Sequence, residues 1–269
     1  MIDQHTHTRY SPDADQKTTC LSYVNQAKLL GFSGVMVTDH VDYDSPDPLF
    51  QEMIDYDVYF KDIEHVRKQT GFDIRVGVEL GYQACSISKM KALVSAYPFD
   101  LVIMSLHLVD GEDPYYGDYF KGKTQEESIR RYFKAVLKSV EQFDDFDVYG
   151  HLDHIIRYGT FETRTYDLKR YQDLIDEILK TIIRKGKGIE INMSGIDDIT
   201  KSPYPSIDVL KRYKALGGKI ITIGSDAHTF RDLGRYFLEA KSILIDVGFD
   251  EIAIYQERKP VFFNIHEVL

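Results

Sequence analysis

The sequence predicts an α/β protein of one domain, residues 1–269, built as a seven-stranded barrel of alternating strands and helices. Three observations carry that expectation. Short apolar runs rich in β-branched residues alternate with helical stretches along the chain. This makes the strands parallel, because a parallel pair needs a long crossover and a helix supplies it. Each run ends in a histidine, a carboxylate or an asparagine. In an open sheet such residues would be strung along an edge, whereas closing the sheet brings all seven strand ends to one place.

Taken in order, residues 2–7 read as the first strand. Period-two alternation puts His5 and His7 on one side and Thr6 on the other, so two imidazoles aim at one spot with the spacing of a metal-ligand pair. Residues 8–13 form a polar turn that carries Asp13, and Leu21, Val24, Lys28 and Gly31 bracket one face of the helix behind it. Residues 34–38 read as a strand buried on both faces, running directly into Asp39-His40. The segment 41–49, rich in aspartate and proline, has the chemistry and length of a loop that covers a site. A helix is expected over residues 55–69, stopped by Gly71, and residues 74–78 form a strand closed by Glu79.

Residues 88–96 read as a shorter helix, ended at Tyr97-Pro98 because the residue before proline is pushed out of the helical region. Residues 101–106 are the fourth strand and deliver His107 ahead of a long loop, 109–123. Thr124 with Glu127 makes a capping box for a helix over 125–143. The fifth strand, 147–150, delivers His151, and a helix over 168–184 places Tyr171, Leu174, Ile175, Ile178, Leu179 and Ile182 on one stripe. The sixth strand, 188–191, ends at Asn192. A helix over 206–216, with Gly217-Gly218 behind it, leads to the seventh strand, 219–224, which delivers Ser225-Asp226-Ala227-His228. A last helix is expected over 234–247, and the tail has a strand-like piece at 261–263.

Composition narrows the function. With 43% hydrophobic and 28% charged residues the chain is an ordinary globular protein of barrel size. No apolar run approaches a membrane span, and the first residues lack the basic-then-apolar pattern of a signal peptide, so the expectation is a cytoplasmic protein with no membrane partner. Cys20 and Cys85 are too few for a disulfide framework and read as reduced, packed thiols. A formal net charge of −10 opposes a polynucleotide backbone, so no nucleic-acid partner is expected. A small anionic substrate remains compatible, because bound metal ions make a site positive within an acidic surface. Nothing in the sequence specifies an oligomeric state.

Of nine histidines, six (His5, His7, His40, His107, His151 and His228) fall at predicted strand ends, which are too small a part of the chain for that to be chance. Imidazoles mixed with carboxylates suit zinc, iron or manganese. His65, His154 and His266 fall elsewhere and are expected at the surface or in local hydrogen bonds. The set His5-x-His7, Asp13, Thr38-Asp39-His40, Gly77-Val78-Glu79, Ser105-x-His107, Gly150-His151 and Gly224-Ser225-Asp226-Ala227-His228 resembles the PHP (polymerase and histidinol phosphatase) family over nearly the whole chain. Within that family, the length and the stretches 151–157 and 190–195 are most similar to the monofunctional histidinol-phosphate phosphatases.

The resemblance implies a distorted seven-stranded barrel with three divalent transition-metal ions. His5, His7, Glu79 and Asp226 would hold the first, Glu79 bridging with His107 and His151 the second, and Asp13, His40 and His228 the third, although some relatives have histidine where Asp13 stands. Three such ions against the carboxylates of Asp13, Glu79 and Asp226 leave about +3, which suits a phosphate dianion and a hydroxide. The implied activity is hydrolysis of the small phosphomonoester L-histidinol phosphate to L-histidinol and phosphate in histidine biosynthesis. The alternatives are another phosphomonoester, such as a nucleotide, a phosphotyrosyl protein or a nucleic-acid end, or a non-catalytic metal-binding barrel. Arg157 is placed either to fork onto the phosphate or in a surface ion pair, and Asp226 or His228 to protonate the leaving alkoxide. Asn192 is a further candidate for substrate contact, as are the loop residues Asp42, Asp44, Asp110, Glu112 and Asp113 for a cation and Tyr115 or Tyr116 for a ring.

Overall fold

The structure, a computed structural model, describes residues 1–159 and 161–268. Six strands form a continuous parallel sheet in the order Gly34–Val37 (β1), Asp73–Gly81 (β3), Leu101–Ser105 (β4), Val148–Tyr149 (β5), Gly188–Asn192 (β6) and Ile221–Gly224 (β7), with His40–Val41 (β2) also paired to β3 beyond β1. β1, β4, β6 and β7 are buried along their whole lengths, as apolar strands covered on both faces should be.

Residues 2–7 close the sheet. On one side Gln4 N and His7 N donate to Ile223 O and Ala227 O, and Asp226 N donates to His5 O; on the other, Met36 N and Thr38 N donate to Asp3 O and Thr6 O. The expected first strand therefore lies between β1 and β7 as predicted, but as irregular backbone with a single bridge, Thr6 to Ala227. Side chains occupy the missing ladder positions. Thr6 Oγ1 donates to Met36 O, Thr6 N donates to Thr38 Oγ1, and the buried Asp3 carboxylate accepts from His5 N and Ser225 N. This seam distorts the barrel.

Helices Cys20–Leu30 (α1), Tyr56–Thr70 (α2), Ile87–Ala96 (α3), Gln125–Gln142 (α4), Gln172–Arg184 (α5), Ile207–Ala215 (α6) and Phe237–Val247 (α7) run between the strands. Caps set several ends: Thr19 and Thr124 close capping boxes at α1 and α4, and Gly31 and Gly71 end α1 and α2 in the left-handed conformation. α5 begins later than expected because residues 168–170 tighten into a 3₁₀ turn before it, and α7 because Gly234 and Tyr236 take positive φ, 67° and 60°.

The tail is more ordered than its sequence suggests. Glu251–Gln256 (β8) and Lys259–Asn264 (β9) form an antiparallel hairpin whose two-residue turn, Glu257 and Arg258, has φ 49° and 64°. Ala253, Ile254 and Tyr255 pack with Ile2, Met36, Leu101, Ile103 and Val148, most of which lie at the starts of their strands. Gln4 ties this plug in place, donating to Ala253 O at 2.7 Å and accepting from Tyr255 N at 2.8 Å. The hairpin seals the lower mouth of the barrel and leaves the C-terminal ends of the strands open. Among the described residues no helix is long and apolar enough to cross a membrane.

Candidate metal centre

At the open end, side chains from every strand converge. His5 and His7 are fully buried on the closing segment, with ring centroids 5.0 Å apart. β3 runs on to Gly81, so Glu79 lies inside the strand rather than at its end, paired in register with His40 of β2. His107 follows β4, and Asp13 comes from the turn after the closing segment. His151 and Asp226 take positive φ, 22° and 56°, where the chain turns sharply off β5 and β7. Held backbone strain of this kind costs about 1–3 kcal/mol per residue and concentrates at functional sites.

Glu79 is the hub. Its Oε1 lies 2.8 Å from His151 Nε2 and 3.3 Å from His107 Nε2, and accepts from Ser105 Oγ at 2.6 Å. Its Oε2 lies 3.1 Å from His40 Nδ1, 3.3 Å from His5 Nε2 and 3.6 Å from His7 Nε2. Asp226 Oδ1 stands 3.2 Å from His7 Nε2 and 3.6 Å from His5 Nε2, and Asp13 Oδ2 lies 3.1 Å from His228 Nε2 and 3.6 Å from His40 Nε2.

The donor set fits a metal centre on two observations. His5 Nε2 and Glu79 Oε2 are buried without a hydrogen-bond partner, a cost that buried polar atoms rarely bear and that an ion would remove. In addition, the Nδ1 atoms of four imidazoles already have partners: Glu190 Oε1 for His5 at 2.6 Å, Ser11 Oγ for His7 at 3.1 Å, Asp42 Oδ1 for His107 at 2.8 Å and the Asp226 carbonyl for His228 at 3.0 Å. Each leaves Nε2 facing the centre, the arrangement by which outer partners fix a ligand's tautomer.

The electrostatics agree. Burial opposes ionisation of Glu79, but His40, His5 and His107 hold its carboxyl well below the usual range, and His5 and His7 do the same for Asp226. Burial likewise opposes a charge on His5, yet Glu190, Glu79 and Asp226 raise it well above the imidazole range, while burial with His228 and His40 lowers His7 to about 3. The carboxylates are therefore anionic at neutral pH and some imidazoles hold protons that incoming cations would displace.

Above this floor lies a cavity of about 540 Å³. Arg157 and Arg235 line one side, each tethered by one of two consecutive aspartates: Arg157 Nε to Asp198 at 3.0 Å and Arg235 Nη1 to Asp197 at 2.8 Å. Phe50, Tyr115, Tyr116 and Tyr158 give it aromatic walls, and Asp47 and Asp113 add carboxylates. The Tyr116 hydroxyl donates to Asp47 at 2.5 Å, joining the two long loops beside the cavity.

Several expectations change. Asn192 is fully buried, and its amide braces Glu190 at 3.1 Å and Asp226 at 3.3 Å instead of lining the cavity for substrate. Asp42 lies against His107 and His40 within the centre and also lines the cavity. Asp44 pairs with Lys89, and Asp110 and Glu112 with Arg131, so these three are engaged away from the cavity. Arg157 pairs with Asp198 and also lines the cavity. His154, expected near the surface, is buried against His151 at 4.4 Å, with Nε2 3.3 Å from Arg157 Nη1; burial, His151 and Arg157 hold it neutral. Glu190 and Arg235 were not anticipated. The signal for Glu190 was a charge set between Ile189 and Ile191 in a strand that otherwise reads as wholly buried.

The family model of the PHP domain matches residues 3–194, well over half of the chain. The chain belongs to the PHP domain family. Among curated relatives, a histidinol-phosphatase of Lactococcus lactis is 29% identical over 261 residues, covering 96% of this chain and 95% of that protein. A probable histidinol-phosphatase of Clostridium acetobutylicum is 30% identical, covering 98% and 97%. A crystal structure of histidinol phosphate phosphatase from Lactococcus lactis, in complex with zinc, L-histidinol and phosphate, superimposes with a TM-score of 0.88 at 28% identity, covering 97% of this chain and 98% of that one. The distorted barrel expected of a PHP domain is thus the fold observed, and the alignments extend past the matched domain to include Asp226 and His228.

Proposed function

We propose that this PHP protein is a metal-dependent phosphomonoesterase that hydrolyses L-histidinol phosphate to L-histidinol and phosphate. The observation that carries the reading is a cluster of six imidazoles and four carboxylates, those of Asp13, Asp42, Glu79 and Asp226, flooring a cavity whose side carries two tethered arginines. The full-length likeness to histidinol-phosphatases supports the substrate.

Three ions, of zinc, iron or manganese, fit the donor chemistry. His5, His7, Glu79 and Asp226 would hold one, Glu79, His107 and His151 a second, and Asp13, His40 and His228 a third. When bound, such ions supply a water-derived nucleophile at neutral pH and neutralise phosphate charge during in-line displacement. The chain's own residues do the rest. Arg157 donates N–H groups to the phosphate in a fixed fork, and Arg235, whose Nε is buried without a partner, adds a second donor. Tyr115, Tyr116, Tyr158 and Phe50 exclude water and offer faces to an imidazole, while Asp47 and Asp113 accept from the substrate's ammonium group. Asp226 and His228 line the same space and are the candidates to protonate the departing alkoxide.

A phosphate-release assay on metal-loaded protein tests the reading, using histidinol phosphate, p-nitrophenyl phosphate, a nucleoside monophosphate and a phosphotyrosyl peptide. We expect histidinol phosphate to give the highest kcat/KM and exhaustive chelation to abolish release. Preference for another ester would redirect the substrate assignment, and full activity below one equivalent of metal would overturn the centre.

A further inference from the structure

Asp42 sits where two imidazoles meet. Its Oδ1 accepts from His107 Nδ1 at 2.8 Å, and its Oδ2 lies 3.4 Å from His40 Nδ1, an ion-pair contact without hydrogen-bond geometry, so that both of these atoms are buried without a hydrogen-bond partner. His107 Nε2 faces Glu79 Oε1 at 3.3 Å, whereas His40 Nε2 faces Asp13 Oδ2 at 3.6 Å. The two rings thus point their Nε2 atoms at different carboxylates while both Nδ1 atoms lie within 3.4 Å of Asp42, with Glu79 Oε2 also 3.1 Å from His40 Nδ1.

The surrounding chain is shaped for this carboxylate. A Cβ on Gly81 would fall 1.8 Å from Asp42 Oδ1 and 3.2 Å from His107 Nδ1, so only glycine at that position of β3 admits the contact. Asparagine would not be equivalent at position 42. Its single acceptor oxygen satisfies one Nδ1–H, and its amide group then turns N–H toward the other.

We infer that Asp42 is a positioning carboxylate shared by His107 and His40, fixing both imidazoles and coupling the occupancy of the two metal sites they serve. The inference rests on reading this cluster as a metal centre. It explains why a buried carboxylate lies in the centre beside Glu79 yet faces Nδ1 rather than Nε2 of His107. Outer carboxylates of this kind typically change metal affinity by about 10- to 100-fold when removed.

The test is titration of the metal-free protein with Co²⁺, followed by visible absorption and by metal equivalents retained. His107→Ala and His40→Ala serve to assign the binding steps. Asp42→Ala should weaken both assigned steps by roughly 10- to 100-fold and leave the step of His5, His7 and Asp226 within about threefold. Asp42→Asn should recover part of the His107 step and little of the His40 step. In a His107→Ala background, Asp42→Ala should add little further loss at the His107 step. Gly81→Ala should weaken the same two steps with every donor still present.

Unchanged steps in folded Asp42→Asn would overturn the inference, as would weakening of one step alone. An additive loss in the His107→Ala background would make Asp42 a ligand in its own right and overturn it equally. Circular dichroism establishes folding, and the isosteric Asp42→Asn carries the test if Asp42→Ala does not fold. No turnover is measured, so a wild-type protein that binds Co²⁺ but releases no phosphate would refute the phosphatase reading and leave this one standing.

Discussion

Replacing Glu79 with glutamine keeps the shape of the side chain and removes the charge on which the centre turns. Five imidazole nitrogens lie within 3.6 Å of its two oxygens, divided between Oε1 (His107, His151) and Oε2 (His5, His7, His40). A glutamine presents one neutral oxygen and one amide, so one of these two groups faces N–H in place of an acceptor. If each of two sites loses a charge-assisted contact worth about 1.5–3 kcal/mol, the summed loss is roughly 3–6 kcal/mol. That corresponds to a fall of roughly 10²- to 10⁴-fold in the product of the two metal affinities. His228, a third exposed at the rim and near the carboxylates of Asp13 and Asp226 but not that of Glu79, should cost less when changed to alanine. Elemental analysis and phosphate release on both variants supply the comparison. Glu79→Gln with full metal content and near-normal turnover would show that no ion depends on this carboxylate.

Two further expectations follow from the same geometry. Arg157→Ala should lower kcat/KM by roughly 10- to 200-fold on histidinol phosphate and p-nitrophenyl phosphate alike without loss of metal, and Arg157→Lys should rescue it poorly, since lysine cannot supply a planar fork; wild-type kinetics in both variants would return Arg157 to its ion pair with Asp198. Burial raises Asp153 to about 6, partly offset by donation from Ser206 N and Tyr166 OH, so the folded state binds its proton more tightly than the unfolded chain and this group's contribution falls as pH rises from about 4 to 6. In chelator, wild type should lose roughly 2 kcal/mol between pH 4.5 and 7.5 relative to Asp153→Asn, read by urea denaturation, and parallel profiles would refute the assignment.

The element order and the strand ends were legible because both are written in one dimension. Apolar runs, Gly71 as a stop, and the Thr124–Glu127 capping box are local, and the structure places them as read, whereas Gly31, read as part of a helix face, caps α1 instead. The closing segment was legible in position but not in form, since its ladder is completed by Asp3, Thr6 and Thr38 through contacts 30 to 222 residues apart. The hairpin at residues 251–264 was half missed because its turn, Glu257-Arg258, lacks the glycine or asparagine that usually marks two positive φ angles.

The same distinction separates the candidate ligands from the groups that hold them. A ligand placed at a strand end needs only its own strand to be recognised, so His107 and His151 stand out in the sequence. Their partners answer to tertiary distance. Glu190 reaches His5 across 185 residues and Asp42 reaches His107 across 65. A buried carboxylate has no local signature, because what makes it tolerable is the donor opposite it and not its neighbours in the chain. Asp42 therefore read as one more loop aspartate, Asn192 as a substrate contact and His154 as a surface histidine, until the fold set each against a specific partner. The error in each case was about what the side chain faces, and that is decided by closure of the barrel: β3 must lie beside β4 for Gly81 to clear room for Asp42 against His107, and β7 must join β6 to the closing segment for Glu190 to reach His5 across it.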